Sequence, residues 1–300
     1  MEKVSKAEGV IVRNDGDTAA ALTGVSTKLD AIYELPFLAH TAMEPINCTV
    51  HVRKDGCDIW VGSQILARAQ AVAAAITGLP VEQVAVHNHL LVGGFGRRLE
   101  VDFIAQAVKL AMQVEGPVKI VWTREEDVQH DMYRPYFYDR LAAGLDAQGM
   151  PVAWSHRICG SPIIARWATP AFKDGYDFDT VDGAANLPYS LPNVRVEYVR
   201  HEPPGIPTAF WRSVGPSHNI FVVESFIDEF AAAAKKDPVD IAAPCSTSLR
   251  ARRPCSILRP RSRPGGSPFR KAQVASSRCR MCLEPSWRRS PRLRFPRMAK

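Results

Sequence analysis

Apolar residues at Cys48, Val50 and Val52, and again at Ile59 and Val61, alternate with polar ones on either side of Lys54-Asp55-Gly56. A period of two interrupted by such a turn predicts a β-hairpin. The spacing then changes. Ile65, Leu66, Ala69, Val72, Ala73 and Ile76 recur every three or four positions, which predicts a helix from about Gln64 to Thr77, capped by Ser63 and stopped by Gly78. A short strand at 84–91 leads into Gly93-Gly94-Phe95-Gly96, and a second amphipathic helix is expected over about 101–114. Beyond lie a strand at 118–122, a loop at 123–127, and a hairpin with arms at 136–145 and 151–159. An irregular stretch at 161–190, a strand at 194–200 and a long helix from about Ser217 to Lys236 complete the pattern. Strands and helices mix without a repeating βαβ unit, so the predicted class is α+β, with layered mixed sheets and packed helices. Residues 1–30, polar with a turn at Asn14-Asp15-Gly16-Asp17, are expected to be the end of an upstream segment, and the domain proper to occupy 31–240.

The periodicity stops after Asp240. The last sixty residues hold fourteen Arg, two Lys and a single Glu. That +15 turns the chain's formal +7 into −8 for residues 1–240, so the candidate domain is acidic and the basic pI of about 9.1 belongs to the end of the chain. Rich in Arg, Ser and Pro and without period, residues 241–300 are expected to be a basic disordered tail. Two readings compete for it: a nucleic-acid-binding extension, or an out-of-frame translation of a GC-rich gene beginning after Asp240. The second is preferred, and nucleic acid is not the expected partner. The seven cysteines do not form a disulfide framework, and the pair Cys279 and Cys282 has no companion pair for zinc, so no metal ligand is predicted. No apolar stretch is long enough to cross a bilayer and no leader is visible, which suggests a cytoplasmic chain.

The glycines at 93, 94 and 96 allow backbone amides to approach a polar or anionic ligand, at the start of a helix. Alone, such a loop is as readily a tight turn. It is not a GxGxxG fingerprint, since the third glycine is absent. The surrounding segments change its meaning. Leu38-Ala-His-Thr-Ala-Met-Glu-Pro45, Trp60-Val-Gly-Ser-Gln64, Val92-Gly-Gly-Phe-Gly96, Trp122-Thr-Arg-Glu-Glu-Asp127 and Ala209-Phe-Trp-Arg-Ser-Val-Gly215 occur in the order found in the molybdopterin-binding large subunits of the xanthine dehydrogenase and aldehyde oxidase family. Within it they look most like the isoquinoline 1-oxidoreductase β-subunit branch.

The resemblance implies an oxidoreductase that hydroxylates N-heterocycles or aldehydes, with water as the oxygen source. It also implies a molybdenum cofactor carried on a molybdopterin, expected as the cytosine dinucleotide. A small [2Fe-2S] subunit is the implied partner, and a periplasmic location is open to a full-length parent. By position, Gln64, Gly93, Gly94, Phe95, Gly96 and Arg212 match cofactor-binding residues of that family. His40 and Glu44 read better as a satisfied loop network than as an acid–base pair. The glutamate that serves as catalytic base in the family lies in a later region that nothing in this sequence matches, so no catalytic residue is assigned. The chain is therefore expected to be a partial molybdopterin-binding domain, inactive alone. Arg97-Arg98-Leu99 stands where xanthine dehydrogenases carry a substrate-binding glutamate, which argues against purine chemistry.

Overall fold

The structure is a computed structural model and describes residues 1–245. The expectations for 246–300 lie outside the described residues. Two compact units divide the chain, one made of residues 1–187 and 191–223, the other of 188–190 and 224 onward. In the second unit the later part of a long helix, Gly215–Ala234, carries Phe226 and Phe230 with ring centroids 4.9 Å apart. There Tyr189 donates its hydroxyl to Glu224 at 2.7 Å, and Ile241 of the helix Pro238–Cys245 is buried.

The first unit contains two mixed sheets. The strands are β1 (Val10–Asp15), β2 (Thr27–Leu35), β3 (Asn47–Val52), β4 (Cys57–Val61), β5 (Val84–Asn88), β6 (Val118–Val121), β7 (Phe137–Leu145), β8 (Pro151–Gly160) and β9 (Val194–Arg200). One sheet runs β1-β9-β8-β7-β2 and the other β5-β4-β3-β6. In the four-stranded sheet the predicted hairpin is β3–β4, with Val52 opposite Cys57, while β4 and β5 run parallel. The chain between those parallel strands is the helix Leu66–Thr77, ended by Gly78 in the left-handed conformation at φ +76°. Together with the helix Asp102–Ala111 it covers one face of the sheet. Val50, Ile59, Ala69, Ala73, Phe103, Ile104 and Val108 form that core, all nearly or fully buried.

Three local differences from the sequence reading have physical causes. Gln64 precedes its helix instead of starting it, because the Ser63 hydroxyl accepts from the Ile65 amide and Ile65 becomes the residue before the first turn. The segment 123–127, expected as a loop, begins a helix, Arg124–Gln129, whose first turn is capped by Thr123 accepting from the Glu126 amide. Residues 1–30, expected as the end of an upstream segment, contribute β1 and the start of β2 to the five-stranded sheet, with Val10 opposite Tyr198 and Thr27 opposite Leu145.

In the five-stranded sheet, Leu35, Phe137, Leu141, Trp154, Ile158, Val196 and Tyr198 are buried on one face. The start of the long helix packs there, with Phe221 edge-on to Tyr33 and the His218 ring stacked 3.6 Å from Phe137. The opposite face is only partly covered, where the helix Glu2–Ser5 sets Val4 against Tyr138, Cys159 and Val199.

Since Ile59 is fully buried at the centre of the smaller sheet, Ile59→Ala is expected to cost about 2–5 kcal/mol in urea unfolding. Val121→Ala, at a position 60% exposed on the same sheet, is expected to stay within about 1 kcal/mol of the parent protein.

Candidate functional site

Parallel strands β4 and β5 end side by side, Val61 opposite Asn88, and the two loops that leave them form the site. Such an edge gathers loops and helix starts with free amides, and ligands of α/β proteins favour it. The first loop, Gly62-Ser63-Gln64, is tied to the second: Ser63 N–H donates to Asn88 Oδ1 at 3.0 Å and Gln64 N–H to the Arg98 carbonyl at 3.0 Å. The Gln64 side chain then receives the Gly96 amide on its Oε1 at 3.2 Å. A Cβ on Gly94 would stand 2.5 Å from that same Oε1, so any larger residue there would displace the Gln64 side chain.

The loop is bent at three residues of unusual backbone. Gly93 has φ +87°, Phe95 +53° and Gly96 +102°. At Gly96 a Cβ would run into the Phe210 carbonyl oxygen, which brings the segment Ala209–Gly215 against the loop. Arg212 therefore reaches the glycine loop although about 150 positions separate it from Gln64. Its guanidinium lies 4.0 Å from the Phe95 ring centroid and 4.6 Å from that of Trp211. Gln64, the glycine loop and Arg212 thus share one surface. Among the described residues, the amides of Gly93, Gly94 and Phe95 donate to no acceptor, and Arg212 has neither a hydrogen bond nor an ion pair.

Sequence reasoning did not find what holds this surface together. Arg97 and Arg98, adjacent and charged, are buried at 5% and 0% exposure. Arg97 forms a two-bond pair with Asp102 at 2.7 and 2.8 Å, and its Nε is 2.7 Å from Asp131. Burial opposes its charge, but Asp102, Asp131 and Glu100 outweigh that and raise its pKa. Arg98 donates to the Gly62 carbonyl at 3.0 Å and lies 3.2 Å from Glu44, and burial lowers its pKa. The second oxygen of Asp131 faces His40, 2.5 Å from its amide and 3.0 Å from Nδ1, while Nε2 of His40 lies 2.8 Å from the Phe210 carbonyl. One chain of contacts runs from the glycine loop through Arg97, Asp131 and His40 to the residue that Gly96 abuts. His40 and Glu44 are elements of a loop network here, Glu44 also accepting from Asn47 and the Val92 amide. No residue pattern short of the fold announces that two consecutive arginines are interior.

Arg212 is presented by a strained turn. Ser213 and Val214 follow it at φ +64° and +47°, conformations that cost a non-glycine residue stability unless the surroundings enforce them. The enforcement comes from the segment 177–182. Gly215 fits against the Asp179 carbonyl where a Cβ could not, Asn219 donates to the carbonyls of Thr180 and Asp182 at 2.8 and 2.7 Å, and His218 Nε2 lies 3.1 Å from the Thr180 carbonyl.

Set beside known proteins, the architecture is similar to that of the aldehyde oxidoreductase of Desulfovibrio gigas, with a TM-score of 0.65 at 17% identity over 87% of this chain and 26% of that one. The profile of the molybdopterin cofactor-binding domain family matches residues 4–243, and the chain belongs to that family. Isoquinoline 1-oxidoreductase subunit beta of Brevundimonas diminuta is 26% identical over 241 residues, 79% of this chain and 29% of that protein. A membrane-bound aldehyde dehydrogenase of Gluconacetobacter polyoxogenes, named for pyrroloquinoline quinone, is 28% identical over 78% of this chain and 31% of its own length. The chain spans less than a third of either relative. Among the described residues no helix is long and apolar enough to cross a membrane, and no cluster of three or more His, Cys, Asp or Glu could hold a metal ion.

Burial pushes His218 down to about 3, so the folded protein keeps it neutral while the unfolded chain protonates it near pH 6.5. Its contribution to stability is therefore complete above about pH 6.5 and falls as the pH drops toward about 3. Asp179 works the other way. Burial, with Asp177 and Asp182 beside it, pushes it up to about 6, and stability is lost as pH rises through that value. Urea midpoints between pH 7.5 and 4.5 are expected to fall less in His218→Phe than in the parent protein; an unchanged slope would remove His218 from the acid transition.

Proposed function

We propose that Gln64, the loop Gly93-Gly94-Phe95-Gly96 and Arg212 bind a molybdopterin cofactor. The observation that carries the reading is the character of the groups left unpaired among the described residues. They are donors: three consecutive amides, the Gln64 carboxamide nitrogen and a guanidinium. Successive backbone amides exposed in a turn make a concave anion site, and a stacked arginine without a carboxylate keeps its charge for a ligand. A pterin dinucleotide offers a pyrophosphate and an acceptor-rich ring system, which such a surface complements. When bound, the cofactor supplies a molybdenum centre for two-electron oxidation with water as the oxygen source.

The residues of this chain then have separate tasks. The amides of Gly93, Gly94 and Phe95 bind acceptors of the cofactor. Gln64 keeps its Oε1 on Gly96 and turns its nitrogen outward, so it orients the loop and donates to the ligand at once. Arg212, held flat between Phe95 and Trp211, places a positive charge at the mouth of the site. Arg97, Asp131 and His40 touch no ligand in this reading and keep the two halves of the cradle in register. We extend the proposal to the longer protein that the relatives represent: a cytosine dinucleotide form of the cofactor, a small [2Fe-2S] subunit as electron acceptor, and an N-heterocycle or aldehyde as substrate. A reducing, cytoplasmic compartment is supported by three buried free thiols, Cys48, Cys57 and Cys159. Turnover by these 300 residues alone is not expected.

Trp211 next to Arg212 supplies the measurement. Titration of the chain with isolated molybdopterin, in its simple and its dinucleotide forms, is expected to quench tryptophan emission, with Arg212→Ala weakening the dinucleotide form about tenfold or more. Gly94→Val, which sets a side chain against Gln64, is expected to abolish binding of both. Saturable binding of pyrroloquinoline quinone with none of either pterin would overturn the assignment.

A further inference from the structure

The half-covered face of the five-stranded sheet carries a cluster of charged side chains apart from the cradle. Four strands place Ile32, Arg140, Arg157 and Glu197 in one row across it, and Asp30, Ala142, Ser155 and Arg195 in the next. Arg140 and Arg157 stand directly opposite each other on β7 and β8. Like charges so paired are a few ångströms apart and destabilise a sheet. Only one of the two is compensated by direct contact, since Arg140 meets only the longer-range field of Glu2. Arg157 donates its Nε to Glu197 at 2.6 Å, and the other oxygen of that carboxylate is taken by Arg195. Arg140 has no hydrogen bond or ion pair among the described residues. Asp30 at the edge is paired with Lys28 at 3.5 Å.

Two guanidiniums thus share Glu197 while Arg140 is left out, in a body whose residues 1–240 sum to −8. Arg140, Arg157, Glu197 and Asp30 line an open groove of about 390 Å³, within the range of small-molecule sites. Its floor is mixed in the way such sites are. Ala142 and Ile32, the latter 53% exposed, are apolar, while Arg140 and Ser155 are polar.

We infer that this groove binds a small organic carboxylate, paired through its two oxygens with the Arg140 guanidinium and resting its apolar part on Ala142 and Ile32. A planar guanidinium with all its donors free matches a carboxylate bidentately, and the anion also relieves the opposition of Arg140 and Arg157. The inference does not depend on the cofactor reading, since no residue is shared by the two sites.

Calorimetric titration of the full chain with hexanoate, hexanamide and inorganic phosphate tests it. Hexanoate is expected to bind, hexanamide not to bind, and phosphate to bind at least about tenfold more weakly. Arg140→Gln is expected to weaken hexanoate by about tenfold or more, and Arg53→Gln, in the turn between β3 and β4, to leave it unchanged. The arginine-rich stretch after Asp240 is common to all variants, so the difference between them reports the groove. Absence of hexanoate binding, equal binding of hexanamide, or full binding by Arg140→Gln would each overturn the proposal, and phosphate binding as tight as hexanoate would overturn its organic part. If Arg140→Gln does not fold, Ile32→Glu at the exposed edge decides, since an added carboxylate there should repel the ligand and undiminished binding would refute the site.

Discussion

At Gly96 two stretches of backbone meet with no room for a side chain between them, the glycine loop on one side and the Phe210 carbonyl on the other. That approach is what allows Arg212 to lie over Phe95. It is held from behind by the contacts that run from Arg97 through Asp131 and His40 to the same Phe210 carbonyl. A single carboxylate, 1% exposed, is thus shared between a guanidinium and an imidazole, and through them between both halves of the cradle. Buried charges of this kind contribute less to net stability than to fixing one arrangement among several, because each is costly unless every partner stays in place.

Two kinds of arginine stand within a few residues of one another in space, and their surroundings separate their roles. Arg97 and Arg98 are interior, and their donors are spent on carboxylates and carbonyls of the loops they fasten. Arg212 is exposed and stacked on two aromatic rings, with no oxygen among the described residues to satisfy it. Stacking fixes the plane of a guanidinium without consuming its hydrogen-bonding edge. The same contrast separates Arg157 from Arg140 on the outer face of the five-stranded sheet.

Much of the architecture was legible in the residue pattern where one element could bury one face by itself. The hairpin β3–β4, the helix ending at Gly78 and the strand β9 follow from period and stop signals. The outer strands were not legible. β1 reads Val-Ile-Val-Arg-Asn-Asp, half of it polar, and its partner lies near the far end of the described chain, so nothing local distinguishes it from a linker. The six-residue helix after Thr123 is too short for a period to show, and only its cap could have suggested it. Gln64, the glycines and Arg212 were picked out by resemblance, and their meeting on one surface is a matter of tertiary structure. The burial of Arg97 and Arg98 had no signal at all, since adjacent charges in a sequence ordinarily mean a solvated turn.

The pairing of β1 with β9 also governs the order in which the molecule can form. The smaller sheet with its two helices is complete once residue 121 has left the ribosome. The larger sheet cannot close at that edge until residue 200 has been made, because Val10 waits for Tyr198. Closing so long a loop is entropically slow, and an unpaired strand is open to wrong partners in the interval. The polar half of β1 that concealed it from sequence reading is the same property that keeps it from pairing elsewhere while it waits.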